Sequence, residues 1–342
     1  MYPQLNRQVC LASRPVGIPQ AEHFEIKSTP VPPVQDGQVR VRNVYLSVEP
    51  AMRGWVNAVG NYSEPVAVGA VMRAFTAGVV EESRAARVPV GSWVTGMLGW
   101  QEIAVVSADR IDRLIAECDL PLSTSLGVLG INGVTAHYGL LKIGEPKPGE
   151  TVVVSTAAGA VGSCVGQIAK LKGCRTVGIT GGETKRQLCL DKFGFDAAID
   201  YKSPDFAEQF RQACPDGVDI YYDNTAGAIS DVVTDHLRPG ARIIICGTAS
   251  IANWNPTPNG PRIERKILVN RARMQGFVIF DHAKHYDAAR QDLAQWMREG
   301  RLRYLEDVLQ GIEQAPDAIA GLYRGDNLGK RLIKVSDAPL AA

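Results

Sequence analysis

The stretch VVVSTAAGAVGSCVGQIAKLKG, residues 152–173, constrains this chain more than any other. Val152, Val153 and Val154 form a β-branched run suited to a strand covered on both faces. Gly159, Ala160, Val161 and Gly162 follow as a tight turn that opens a helix. Glycine lets the backbone turn sharply and approach a pyrophosphate with no Cβ in the way. The free N–H groups of the helix start then offer donors and partial positive charge to that anion. Gly166 is expected to let the helix lie close to the sheet. The pattern departs from G-x-G-x-x-G, because Ala157 takes the first glycine place. A packing turn in some other α/β domain is the competing reading. The context favours dinucleotide binding: residues 175–179 read as a second strand, closing a βαβ unit of about 30 residues.

The chain has 342 residues, which predicts two domains. A net charge of +1 gives no general electrostatic case for nucleic acid or an anionic membrane. The start, MYPQLNRQVCLASRP, lacks the apolar centre of a secretory signal, and no apolar run is long enough to span a bilayer. The seven cysteines are scattered, with no C-x-x-C pair. Reduced thiols in a cytoplasmic protein are expected, and no metal site is.

Residues 1–126 alternate short apolar runs with Gly and Pro. Candidate strands are 39–48, 78–82, 92–98 and 102–106, and Pro30, Pro32 and Pro33 mark a loop. The block reads as a β-rich, partly open barrel. From residue 127 the pattern changes. GVLGINGVTAHYGLLKIG reads as one helix, and β and α segments then alternate. Strands are expected at 151–155, 175–179, 197–200, 218–222, 241–245 and 274–279, with helices at 161–172, 185–193, 205–213 and 228–236 between them. That is a doubly wound, six-stranded parallel Rossmann sheet. Residues 249–262 form a Pro/Asn/Gly loop after the fifth strand, at the edge where ligands bind. A helix at 286–299, a strand at 302–309, a helix at 314–323 and a last strand at 329–335 exceed what that sheet needs. The tail is expected to complete the first domain, giving 1–126 with 304–342 and a nucleotide domain of 127–303.

The end of the second strand bears on which nucleotide. An NAD site places Asp or Glu there to accept from the ribose hydroxyls. Here Ile179 is followed by Thr180, Gly181 and Gly182, and Glu183 lies past the strand end. Small residues leave room for a 2′-phosphate, Lys185 and Arg186 can neutralise it, and Tyr201 can add a donor. The alternative is an ordinary solvated helix start. NADP(H) is the expected cofactor.

These residues together resemble the zinc-independent branch of the medium-chain dehydrogenase/reductase superfamily, near the leukotriene hydroxydehydrogenase/prostaglandin reductases, alkenal double-bond reductases and curcumin reductases. The carriers are NRQVCLASRPVGIP (6–19), EPAMRGW (49–55), AAGAVGSCVGQIAKLKGC (157–174), GFDAAIDYKS (194–203), YYDNTAG (221–227), ARMQGFVIFD (272–281) and GDNLGKRLIKV (325–335). The resemblance implies a GroES-like substrate domain built from both chain ends, a Rossmann domain, a homodimer, and reduction of an α,β-unsaturated ketone or aldehyde by NADPH. It places the 2′-phosphate lysine on Lys185 and the partner tyrosine on Tyr201. It places cofactor contacts on Asn224, on Cys246, Gly247, Thr248 and Ser250, on Phe277, Val278 and Ile279 (as a G-F-V strand), and on Asn327. Asn224 and Asn327 also read as turn or cap residues. The zinc enzymes' Gly-His-Glu segment and four-cysteine lobe are missing; TAGVVEE (76–82) stands in the former's place.

Enone reduction needs hydride at the β-carbon, a proton at the α-carbon, and donors for the charge gathering on the carbonyl oxygen. The chain departs from its relatives here. CGTASIAN has Ala252 where they carry a tyrosine, and EPAMR has Ala51 where they have D-P-Y-M-R. Tyr62 is the remaining tyrosine candidate, with a surface-loop aromatic as its plainer reading. Trp100 and Trp254 are candidate pocket walls or packing residues. Two other readings stand beside the reductase: a quinone oxidoreductase, and a nucleotide-binding protein with little catalysis.

Overall fold

A computed structural model describes residues 4–58, 62–251, 256 and 258–337. The chain divides into two units, Met1–Leu126 with Glu306–Ala342, and Gly127–Leu305. In the first unit, β1 (Leu5–Leu11) and β2 (Phe24–Pro30) pair as an antiparallel ribbon. Then come β3 (Gln38–Ser47), the short α1 (Met52–Trp55), β4 (Thr76–Ser83), β5 (Trp93–Gly96), β6 (Ile103–Ser107) and β7 (Ile111–Leu114).

The second unit opens with α2 (Ile131–Tyr138), which continues as a π-helical turn over Gly139–Gly144. β8 (Thr151–Ser155), α3 (Ala160–Leu171), β9 (Arg175–Thr180), α4 (Glu183–Asp191), β10 (Ala197–Asp200) and α5 (Phe206–Ala213) follow. β11 (Val218–Asp223), α6 (Gly227–Thr234), β12 (Leu237–Ile245), α7 (Glu264–Asn270), β13 (Arg273–Gly276) and α8 (Tyr286–Arg298) complete it. The chain then returns to the first unit as β14 (Glu306–Gln310), α9 (Ala315–Arg324) and β15 (Lys330–Lys334).

The first unit's sheet runs β14-β15-β3-β4-β5-β7, and β6 also pairs with β3. β3 therefore carries three neighbours, as a long strand bent by bulges can. Its core gathers Leu46, Met52, Trp55, Trp100 and Ile319.

The second unit's sheet runs β10-β9-β8-β11-β12-β13, all parallel. This is the doubly wound order, whose switch point falls between β8 and β11. Val152, Val153 and Val154 are fully buried, as strands covered on both faces require. Two expectations need correction. The single helix over 127–144 is broken: α2 holds only its middle, and Gly139 lies against Tyr222, whose hydroxyl donates to the Thr135 carbonyl at 2.9 Å. A side chain bonded into the helix ladder is an established cause of such irregularity. The strand expected over 274–279 ends at Gly276, so Phe277 and Val278 lie beyond it and Ile279 opens a 3-10 turn. Among the described residues, no helix is long and apolar enough to cross a membrane.

Candidate functional site

The carboxyl ends of β8, β9, β10, β11, β12 and β13 carry the expected cofactor residues of the second unit. After β8 the chain turns through Thr156, a non-glycine residue at φ 51°. The Gly159 N–H donates to the Thr156 carbonyl at 2.9 Å and closes that turn. Gly159 caps α3, and the first α3 ladder bond runs from the Ser163 N–H to the Gly159 carbonyl at 3.0 Å. The N–H groups of Ala160, Val161 and Gly162 therefore precede the helix ladder and point out of its start. No acidic residue occupies the first turn. The donor set fits an anion. At Gly162 a Cβ would lie 2.3 Å from the Thr156 carbonyl oxygen, so glycine is required there. A Cβ on Gly166 would lie 2.0 Å from the Phe195 ring, and one on Gly178 of β9 would lie 3.1 Å from the same ring, so glycine lets α3 close onto that ring at the sheet.

β9 ends one residue later than expected, at Thr180, and Gly181 and Gly182 lead into α4. A Cβ on Gly181 would meet the Tyr201 ring at 2.9 Å and the Lys202 side chain at 3.2 Å. Tyr201 is thus brought beside the end of β9, with its ring 42% exposed. Lys185 stands half-buried on the first turn of α4. Arg186 differs from expectation: its Nε and Nη2 donate to the Glu183 carboxylate, at 2.7 and 2.6 Å. That exposed pair is weakly held, yet it turns Arg186 toward its own helix. Lys202 escaped the sequence reading. Its signal was its place in the same Y-K dipeptide as Tyr201.

The ends of β8 and β11 are bonded together. The Asn224 side chain donates to the Ser155 carbonyl at 2.7 Å, and the Asn224 N–H donates to the Ser155 hydroxyl at 2.8 Å. Asp223, fully buried, gathers donors from Tyr221, Thr225, Ala226 and Ser230. A carboxylate accepts through two oxygens, so one side chain can take this many donors. Ala226 sits at φ 58° and ψ −164°, a region open essentially to glycine alone; other residues there cost on the order of 1–3 kcal/mol. The loop after β12 is stitched onto this turn. Cys246 and Gly247 donate to the Asp223 carbonyl, Ala249 to that of Asn224 and Ser250 to that of Thr225. Thr248 sits half-buried within this loop. The Ser250 hydroxyl is also turned onto protein carbonyls, those of Thr225 and Ala226. Burial pushes the Cys246 thiol up to about 12, with the Tyr222 hydroxyl beside it pulling the other way, so the thiol stays protonated. Beyond β13, the Phe277 ring packs 5.8 Å from that of Tyr138, and Ile279 is buried with Val134 and Ala289.

The first unit holds the remaining candidates. Tyr62 is 53% exposed. Beside it stands Tyr323, unremarked in the sequence. Its hydroxyl donates to the Pro50 carbonyl at 3.0 Å, and the Arg53 guanidinium lies 4.7 Å over its ring. Burial pushes the Tyr323 phenol up; Arg53 opposes that and Tyr62 adds to it. Ala51 packs against the same core as Tyr323. Trp100 is a packing residue: fully buried, its ring lies tilted at 57° to that of Phe24, and it donates to the Ser47 carbonyl at 3.1 Å. The Asn327 side chain donates to its own neighbour's carbonyl, Gly329, at 2.7 Å. Ala252 and Trp254 lie outside the described residues. Among the described residues no three His, Cys, Asp or Glu side chains gather as a metal site would need.

A glycine turn at the switch point of a six-stranded parallel sheet lies where doubly wound folds bind dinucleotides. Residues 7–114 match the family described as "N-terminal domain of oxidoreductase", and residues 160–297 match "Zinc-binding dehydrogenase". The chain belongs to the zinc-independent medium-chain dehydrogenase/reductase family. It is 43% identical to the NADPH-dependent curcumin reductase of Escherichia coli, over 97% of this chain and 98% of that one. It is 37% identical to a tobacco (Nicotiana tabacum) NADP(+)-dependent 2-alkenal reductase, again over 97% and 98%. The crystal structure of CurA from Vibrio vulnificus in complex with NADPH aligns with a TM-score of 0.92 and 44% identity, over 97% of this chain and all of that one.

Proposed function

We propose that this chain reduces the carbon–carbon double bond of α,β-unsaturated ketones and aldehydes with NADPH, placing hydride on the β-carbon and a proton on the α-carbon. That it is an NADP-dependent oxidoreductase follows from its family membership and full-length likeness to NADP-dependent reductases. One observation carries the finer reading. Relatives named for curcumin and 2-alkenals match 97% of the chain, so both the nucleotide unit and the other unit are shared with double-bond reductases.

The cofactor fits the residues present. The α3 N-terminus with Gly159, Ala160, Val161 and Gly162 would hold the pyrophosphate. Lys185 and Tyr201 would hold the 2′-phosphate beside Gly181. The Asn224 turn, the 246–250 loop and Phe277, Val278 and Ile279 would shape the rest. Bound NADPH supplies the hydride. The protein's task is to orient the alkene, exclude water and give donors to the enolate oxygen. Tyr62 is the phenol we assign to that last task. A steady-state assay with NADPH tests the reading: turnover of an enone with saturation of its alkene supports it. Quinone turnover without alkene saturation contradicts it, and so does NADPH binding with no turnover.

Lys185→Ala is expected to raise the NADPH dissociation constant roughly tenfold to a hundredfold while leaving that of NADH within about twofold, since one charge-assisted phosphate contact is worth about 1.5–3 kcal/mol. Equal affinity of the variant and parent for NADPH would remove Lys185 from the 2′-phosphate site. Fluorescence titration gives both constants.

The protein is proposed to work as a cytoplasmic homodimer. The described cysteines are free thiols, as a reducing compartment maintains. β13 is the outermost strand of its sheet, all four of its residues including Met274 are exposed, and Leu268 and Val269 of the preceding α7 expose apolar surface. Such an open edge is a ready template for a second copy. Gln275→Pro in β13 is expected to yield monomers by light scattering after gel filtration; a dimer of unchanged stability would place the interface elsewhere.

A further inference from the structure

We propose that Ser250 and Asp223 act as a two-sided clamp, holding Ala226 in its strained conformation and so setting the Asn224–Gly227 turn in the shape that receives NADPH. The inference rests on the nucleotide reading of this sheet edge. Both are positioning residues rather than cofactor ligands, which revises the role expected for Ser250.

On one side, a single Asp223 oxygen, Oδ1, accepts from the N–H of Thr225 and of Ala226, each at 2.8 Å. Its second oxygen accepts from the Ser230 hydroxyl at 2.6 Å, and the Tyr221 hydroxyl reaches Oδ1 at 3.0 Å. The carboxylate thus fixes the donor face of the turn. On the other side, the Ser250 hydroxyl faces the Thr225 carbonyl at 2.8 Å and the Ala226 carbonyl at 3.0 Å. It has one proton and serves the two in turn. The Ser250 N–H adds a bond to the Thr225 carbonyl at 3.0 Å. So the peptide before Ala226 is held at both its N–H and its carbonyl, the peptide after it at its carbonyl, and Ala226 stays at φ 58° only because its surroundings over-determine it. Gly227 belongs to the device: a Cβ there would stand 2.7 Å from the Ser250 hydroxyl.

The consequence for binding follows from connectivity. Asn224, the first residue of this turn, holds the end of β8 through the Ser155 carbonyl and hydroxyl. Thr156, at φ 51°, follows at once and its carbonyl closes the Gly159 turn. Relaxation at Ala226 would therefore shift the loops after β8, β11 and β12 together. With glycine at 226 the same conformation costs nothing, and the clamp becomes dispensable.

The test is a cycle of variants in the full chain, read by NADPH fluorescence titration and by thermal unfolding without cofactor. Ser250 is exposed, so Ser250→Ala leaves the core untouched. It is expected to raise the NADPH dissociation constant roughly fivefold to tenfold. Ala226→Gly alone stays within about twofold of the parent, and Ser250→Ala/Ala226→Gly returns to that range, because glycine carries no strain. Asp223→Asn, where it folds, is rescued in the same direction by Ala226→Gly. An unchanged constant in Ser250→Ala overturns the proposal. A double variant as weak as Ser250→Ala overturns it too, since a direct cofactor contact by Ser250 would not be restored by glycine at 226. Neither readout depends on enone turnover, so failure here is distinct from failure of the reductase reading.

Discussion

Gly162→Ala is expected to abolish NADPH binding, raising the dissociation constant at least about 100-fold, or about 2.7 kcal/mol. The reason is local and steric. A Cβ at 162 would lie 2.3 Å from the Thr156 oxygen, 2.8 Å from its carbonyl carbon and 3.0 Å from the Ala157 Cα. All three are backbone atoms, so no rotamer change relieves the contact. Thr156 cannot yield freely either, since its carbonyl accepts the Gly159 N–H at 2.9 Å. The helix start must tilt away, and its N–H groups then miss the pyrophosphate. Circular dichroism separates this from unfolding: the variant should keep its helix signal while the nucleotide titration goes flat. Binding within about threefold of the parent would show that the α3 start does not hold the anion.

Glu49→Ala should produce the largest loss of stability in the first unit. The Lys330 ammonium is buried and donates to the Glu49 carboxylate at 2.6 Å, the Ser47 hydroxyl at 2.7 Å and the Val48 carbonyl at 3.0 Å. Ser47 also donates to the same Glu49 oxygen, at 2.6 Å. Burial pushes the Lys330 pKa down while Glu49 pushes it back up. Removing the carboxylate leaves a buried cation without its counter-charge, which costs about 3–5 kcal/mol. Glu49→Leu/Lys330→Met should be less damaging than Glu49→Ala, because it removes both charges. Denaturant unfolding of the three proteins measures this. A loss below about 1 kcal/mol in Glu49→Ala would mean that water reaches the pair and that it behaves as a surface bridge.

Much of the fold was legible because it is written in local pattern. The valines of β8, the Gly159 turn and the alternation of α and β segments each follow from periodicity over a short window. β10 falls on residues 197–200 as expected, since AAID is bounded by charged and turn residues. α7 was missed because it follows a long Pro/Asn/Gly stretch and none of its residues is buried, so no apolar stripe marks it. β1 and β2 are poorly marked for a related reason: Asn6, Arg7 and Gln8 put three polar residues in a row at the start of β1, and no residue of β2 after Phe24 is buried. The fate of the candidate site residues was less legible. That the Ser250 hydroxyl bonds to residues 225 and 226 depends on the parallel pairing of β11 with β12. That Arg186 turns to Glu183, and that Lys202 rather than Arg186 lies against Gly181, are outcomes of side-chain packing. Tyr323 approaches Pro50 only because the chain's end returns to the first unit.

The proposed reduction delivers hydride to the β-carbon of an enone. The most direct measurement is product analysis after turnover with NADPH deuterated at the transferred position. The predicted product is the saturated ketone with deuterium on the β-carbon and a solvent-derived hydrogen on the α-carbon. An allylic alcohol with deuterium on the former carbonyl carbon would contradict the account.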